Sequence, residues 1–207
     1  MKNLLKSGIA SFILFLFFCL TSWPVLNKGE KFFPFSLKGV NEKIFTVTLE
    51  DGKLVMTTEF LTEGKKEIRK FYPDALLLDF WATWCVPCRA AMPYMQKMHE
   101  AFGPGDGQEK GGLALFGVAL DMKGSKVVKP FYSKLKITYA MLADPTEGPE
   151  GDGLIRTTRR MAEEYKVQEI PVVYLIDNKG NVVHAHIGFK KEEIAALENQ
   201  IKSLLQE

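Results

Sequence analysis

Cysteine and histidine are scarce, three of each in 207 residues. Cys19 sits in an apolar leader, so Cys85 and Cys88 are the only sulfur pair downstream, too few for a framework of structural disulfides. There is no second Cys-x-x-Cys and no His-x-x-x-His, which leaves a four-ligand zinc centre without ligands. Charge of one sign is not in excess either. The net charge of +2 provides no electrostatic footprint for a nucleic-acid partner. Internal repeats and low-complexity tracts are absent, and the length suits one domain with an N-terminal extension.

What is present begins with the leader. Lys2 and Lys6 precede the run Ile9 to Leu20, a basic region followed by an apolar one, which reads as an export signal. No small-x-small site precedes Trp23-Pro24. Counted through Leu26, the stretch approaches the roughly 17 to 25 residues that span a bilayer. The expectation is therefore a signal peptide or N-terminal membrane anchor over residues 1–26 and a folded domain over 27–207. By the charge rule Lys2 and Lys6 stay cytoplasmic and the domain lies outside. Cys19 follows the bulky Phe18, unlike the small residue of a lipoprotein signal.

Everything downstream is organised around Asp79-Phe80-Trp81-Ala82-Thr83-Trp84-Cys85-Val86-Pro87-Cys88-Arg89. The apolar run from Ala75 to Phe80 predicts a buried strand, and the periodicity from Ala90 to Phe102 predicts a helix. Cys85 then stands at a helix N-terminus, where unpaired N–H groups and the helix dipole favour a thiolate. Cys88 lies one turn further in, where it can attack a mixed disulfide, the spacing a thiol-disulfide exchanger needs. No cofactor and no metal are required by such chemistry.

Phe80 to Arg89, Met92-Pro93 and the distant Ile170-Pro171-Val172 together resemble the thioredoxin superfamily, and within it the TlpA/ResA-like membrane-anchored or secreted thiol-disulfide oxidoreductases. The resemblance runs from about Phe35 to the C-terminus. It implies an α/β thioredoxin-like fold, a mixed central β-sheet flanked by helices, with an N-terminal β-hairpin extension. It implies Cys85 and Cys88 as the redox pair, with Val86 and Pro87 shaping the turn and Trp84 as the exposed aromatic that substrates contact. Pro171 matches the proline that follows a cis peptide opposite the dithiol. The backbone of Ile170 is then available to pair with a substrate segment. Asp79 matches the buried acid of cytoplasmic thioredoxins, a candidate base for Cys88. Many TlpA-like sequences carry Asn there and a Glu three residues past the second cysteine, where this chain has Ala91.

The activity so implied is exchange with protein disulfides outside the cytoplasm, most readily as a reductase. The acceptor would be a protein such as an apocytochrome c, and the donor a membrane protein carrying electrons. The alternatives are a disulfide oxidase or isomerase, or a copper or zinc chaperone using the dithiol as ligands.

Around this centre the pattern predicts a hairpin over residues 44–58 about Asp51-Gly52. Glu59 to Lys70 reads as a solvated connection, and Leu113 to Leu120 as a buried parallel strand. A helix is expected over Lys126 to Leu135, kinked or restarted by Pro130, then a short strand near Tyr139 to Leu142 and a loop over Asp144 to Gly153. A basic helix follows over Leu154 to Lys166, then a second hairpin over Val172 to Gly188 and a closing helix over Lys190 to Leu205. Trp81 is expected in the core and His99 on the solvent side of its helix. His184 and His186 share one strand face and are expected at the surface.

Overall fold

In the computed structural model, which describes residues 25–105, 107–145 and 158–206, buried and half-exposed residues alternate along β1 (Phe35–Lys38) and β2 (Ile44–Glu50). That period of two marks a sheet with one face on a core. β3 (Lys53–Thr62) and β4 (Lys65–Phe71) complete an antiparallel meander in the order β1-β2-β3-β4. The turns Asp51-Gly52 and Glu63-Gly64 have positive φ at both residues, the two-residue geometry that matches strand twist.

The predicted hairpin is therefore longer than expected, and the solvated connection over Glu59 to Lys70 is corrected to strand, turn and strand. β4 is an edge strand exposed along most of its length, so no apolar alternation announces it. It is held by backbone pairing and by cross-strand pairs, Lys66 to Glu59 at 2.6 Å and Lys70 to Glu50 at 2.5 Å. Lys43 and Arg69 stand 5.0 and 4.9 Å from the Phe60 ring centre. Edge lysines discourage pairing with a second chain.

The second sheet contains β5 (Ala75–Trp81), followed by α1 (Val86–Phe102), then β6 (Leu113–Ala119), α2 (Ser125–Leu135) and β7 (Ala140–Leu142). α3 (Thr158–Glu164), β8 (Val172–Asp177), β9 (Val182–Ile187), a 3-10 turn at Lys191–Glu193 and α4 (Ile194–Leu204) finish the chain. The strand order is β7-β6-β5-β8-β9, with β5, β6 and β7 parallel and β8 and β9 antiparallel to their neighbours. Every residue of β5 and β6 is buried, because both sheet faces are covered and no position on either strand meets solvent. Pro130 lies inside α2, which starts at Ser125 and continues past it to Leu135.

Alternate side chains of these strands enter two cores. Leu77, Trp81, Leu115 and Val173 face α1 and α4, meeting Met92, Met95 and Leu197. Leu76, Leu78, Phe80 and Phe116 face the other way, toward Met161 of α3, Tyr165 just past its end and the apolar side of the first sheet. Phe35 and Phe45 set their edges against Phe116 at 5.6 and 5.4 Å between ring centres.

Residues 1–24 of the expected leader, Cys19 among them, lie outside the described residues, as do most of the loop after Asp144 and the start of the basic helix through Thr157. The described helix there begins at Thr158. Among the described residues no helix is long and apolar enough to cross a membrane. The described chain enters the fold at Val25 and Leu26, whose N–H donates to the Tyr174 hydroxyl at 3.1 Å. Gly29 and Phe32 then donate to the carbonyls of Val182 and Gly180, beside the β8–β9 turn. Asp177 pairs in register with Ala75, the first residue of β5, so this segment lies at the end of the sheet opposite Cys85.

Candidate active site

β5 ends at Trp81, and four residues later Cys85 caps α1 in extended geometry, with φ −79° and ψ 106°. The Cys88 N–H donates to Cys85 Sγ at 3.3 Å. Pro87 occupies the first turn of the helix, where a missing N–H removes nothing. Cys85 and Cys88 are joined in a disulfide with their Cα atoms 5.3 Å apart. Both are buried, Cys88 wholly and Cys85 to within 4 %, so any thiol chemistry takes place at the first sulfur and only at its rim.

Across from it the Ile170–Pro171 peptide is cis, and the Ile170 carbonyl oxygen is 3.9 Å from Cys85 Sγ. The expected residues Cys85, Cys88, Ile170 and Pro171, from two distant parts of the chain, thus meet at one spot. Trp84 and Val86 flank Cys85 and are both exposed. Trp81 is fully buried, its indole N–H directed at the Met141 sulfur 2.9 Å away.

Asp79 alternates with Leu77 and Trp81, so its side chain enters the same core as Cys88. It is completely buried, neither carboxyl oxygen has a hydrogen-bond partner, and burial pushes its pKa up to about 7. A carboxylic acid poised there can hold or release a proton near neutral pH.

The profile of the AhpC/TSA family matches residues 29–185. The chain belongs to the AhpC/TSA family. Within that family's reach it is 25 % identical over 195 residues to the thioredoxin-like protein YneN of Bacillus subtilis, covering 89 % of this chain and 92 % of the relative. It is 31 % identical over 144 residues to the thiol-disulfide oxidoreductase ResA of Bacillus thuringiensis, covering 69 % of this chain and 70 % of the relative. Among solved structures it is similar to a putative thiol:disulfide interchange protein DsbE of Chlorobium tepidum, with a TM-score of 0.58 and 27 % identity over 87 % of this chain and 99 % of that one. With its Cys85–Cys88 pair, this AhpC/TSA member is an enzyme of the thiol-disulfide oxidoreductase class, of the ResA and DsbE type, on a thioredoxin-like fold.

The structure adds residues near this centre that sequence reasoning placed elsewhere or passed over. A groove opening beside Pro171 runs between α1, β9 and α4, with Ala91, Met95 and Val173 among its walls. His184 and His186, expected at the surface, line it half-buried, their rings stacked 6.2 Å apart. His186 Nε2 is 2.6 Å from Glu193 Oε2. Burial, and then the neighbouring His186, hold the His184 pKa down. Their alternation on one strand was the one visible signal; the Glu193 partner comes from the 3-10 turn that follows β9.

His99, expected toward solvent, is corrected to half-buried: its ring meets the edge of Tyr139 at 6.2 Å, its Nδ1 is unpartnered, and burial lowers its pKa. The helix turns it toward Tyr139, just before β7, a meeting that no local pattern around His99 reveals. Asp121, which no sequence motif singles out, is buried against Thr83. Among the described residues no group of three or more His, Cys, Asp or Glu side chains is arranged to hold a metal ion.

Proposed function

We propose that the protein reduces protein disulfides outside the cytoplasm, tethered by residues 1–26 and recharged by a dithiol protein of the membrane. In the reduced state Cys85 is the nucleophile. Its thiolate attacks one sulfur of a substrate disulfide; that bond breaks, the departing substrate sulfur takes a proton from solvent, and a Cys85–substrate mixed disulfide forms. Asp79, as carboxylate, takes the Cys88 proton, and the Cys88 thiolate attacks Cys85 Sγ. The second substrate thiol leaves, and the Cys85–Cys88 disulfide is the oxidised end of the cycle. Two electrons have passed to the substrate, and the membrane donor returns them.

The observation that carries this reading is the position of Cys85 Sγ: it accepts the Cys88 N–H at the start of α1 and faces the Ile170 carbonyl. A helix N-terminus lowers a thiol pKa. An extended substrate segment lying along Ile170 would bring its own sulfur to Cys85. The tether is supported by the leader's composition and by the fold, since the chain enters at the end opposite Cys85. The seven residues of β5 span about 20 Å at roughly 3.3 Å each, which leaves the dithiol end free for partners. An apocytochrome c is one such acceptor.

The experiment is trapping in the exported fraction. Cys88→Ser should accumulate mixed disulfides with substrate proteins and Cys85→Ser should not, while the dithiol potential should lie below that of the glutathione couple. Equal trapping by both variants, or a potential well above glutathione's, removes respectively the assignment of the nucleophile and the reductive direction.

A further inference from the structure

Asp79 lies in a row that crosses three strands. It stands opposite Val173 of β8, and Val173 stands opposite His186 of β9. Residues directly opposite on neighbouring strands project from the same face of a sheet, so all three side chains enter the space beneath α1 and α4. At about 4.8 Å between strands, the backbones of Asp79 and His186 are about 10 Å apart, with only Val173 between them in the row. In the other direction the row is shut. Gly117 of β6 brings no side chain of its own, and the room above it is taken by the Met141 sulfur and the Trp81 indole nitrogen, 2.6 and 3.2 Å from where a Cβ would stand.

The open side holds the groove. Val173, His186 and Glu193 all line it, and Ala91 closes it toward α1. Its free volume is about 30 Å³, room for a water, which needs about 10–15 Å³. Polar atoms without partners gather along the same row. Among the described residues six buried side-chain atoms lack a hydrogen bond. Two are the Asp79 oxygens, and two more are His186 Nε2 and Glu193 Oε2, which approach to 2.6 Å but out of line for a hydrogen bond. Buried polar groups in native folds are nearly always satisfied, by water where the protein offers nothing.

We propose that His186, with Glu193, is the solvent-side end of a proton path that serves Asp79 through water in this groove. This rests on Asp79 as the base for Cys88 and says how that base exchanges its proton. Asp79 has no exposed surface, so its proton cannot pass directly to bulk water. It goes to a groove water, which gives one of its own to the imidazole, and His186 gives one on to Glu193 or to solvent. Only O–H and N–H bonds are made and broken, and the proton count is conserved. His186 acts through Asp79 and not on the sulfurs.

An imidazole suits this task because it changes charge between about pH 5 and 8, the range into which burial brings Asp79, to about 7. The groups that face His186 are few. His184 stacks against it at 6.2 Å, its own pKa held down by burial and then by His186. Glu193 stands beside it, with Lys190 3.2 Å from the other Glu193 oxygen. The walls from α1, β8 and α4 are apolar and bring no charge, leaving Asp79 beyond Val173 as the remaining titratable group.

The test is single-turnover release of the mixed disulfide formed with oxidised glutathione, by stopped flow on the full reduced chain in detergent, from pH 5 to 9, with and without added imidazole. Below pH 7 Asp79 begins protonated and must lose its proton before it can take one from Cys88. There His186→Ala should release about tenfold more slowly than the parent, less than the roughly 10²-fold to 10⁴-fold carried by the base itself. Above pH 8, where Asp79 begins ionised, the two rates should converge. Added imidazole should restore the variant below pH 7. Glu193→Gln, which keeps the shape and removes the carboxylate, should slow release over the same range. Parental rates below pH 7 in both variants overturn the path, and so does a slowing that is equal at every pH and not relieved by imidazole, the mark of a structural role. Asp79→Asn separates the two levels. If it slows release while His186→Ala and Glu193→Gln do not, only the path is lost; if it releases at the parental rate, the base reading fails and the path falls with it.

Discussion

Asp79 on β5 stands in register with Gly117 on β6, so the neighbouring strand offers no side chain to the buried carboxyl. The space cannot be used by a larger residue: a Cβ at position 117 would lie 2.6 Å from the Met141 sulfur and 3.2 Å from the Trp81 indole nitrogen. On its other side Asp79 pairs with Val173, again without a polar partner. The carboxyl is therefore buried with both oxygens unpartnered. That is costly when it is ionised, and the cost appears as its raised pKa.

The first prediction concerns stability against pH. Asp79 titrates near 7 in the folded protein against 3.8 for the free side chain. Between those values the native state holds a proton that the unfolded chain has lost, so stability falls as pH rises from about 4 to about 7 and then levels. A shift of that size corresponds to about 4 kcal/mol between the two plateaus. Asp79→Asn has nothing to ionise there and should abolish that slope. Denaturant unfolding of the oxidised protein should show the variant gaining on the parent at pH 8 by several times its change at pH 4. Parallel stability curves for the two proteins would refute this.

Tyr174 links three parts of the chain. Its hydroxyl donates to the Tyr165 carbonyl at 2.5 Å and accepts the Leu26 N–H at 3.1 Å. Tyr174→Phe leaves both backbone groups without that partner, at about 1–3 kcal/mol for each buried group. The expected loss is about 2–6 kcal/mol in urea unfolding, with early loss of amide protection at Leu26. An unchanged unfolding midpoint would mean that water replaces the hydroxyl.

Legibility followed burial. β5, β6 and β8 announce themselves as apolar runs because both sheet faces are covered, and Cys85 could be placed at a helix start from that order alone. The Ile170–Pro171 pairing with the dithiol came from resemblance, since nothing local in residues 168–173 points across the fold. β4 was invisible for the opposite reason: an exposed edge strand of Lys, Glu and Arg has the composition of a loop. His99, Glu193 and Asp121 share another obstacle. Each gains its meaning from a partner on a different element, Tyr139, His186 and Thr83, and no spacing along the chain encodes such a meeting.

Topology offers a third prediction. With residues 1–26 as an uncleaved anchor, a reporter fused to the C-terminus should be active only if it works outside the cytoplasm, and carbonate-washed membranes should retain the protein. Deleting residues 2–22 should leave the protein cytoplasmic and soluble. Soluble exported protein with a trimmed N-terminus would show cleavage in place of anchoring.

The last prediction separates the two steps of exchange. In the mechanism proposed above Cys85 draws its reactivity from the start of α1, while Cys88 is wholly buried, so the two sulfurs would depend on different groups for deprotonation. Asp79 shares the core of Cys88, and with its pKa raised to about 7 by burial a substantial fraction is a base at neutral pH. General base catalysis contributes about 10²-fold to 10⁴-fold. Asp79→Asn should therefore slow release of the mixed disulfide by around that factor near pH 7, while initial attack by Cys85 changes far less. The sign with pH also follows. In the parent, release should accelerate as pH rises through 7 and Asp79 loses its proton. In the variant that rise should be absent, leaving only the later one set by the Cys88 thiol itself. Stopped-flow measurement of both steps from pH 5 to 9 reads this directly. Release at the parental rate in Asp79→Asn across that range would make Asp79 a structural acid and assign the proton to another group.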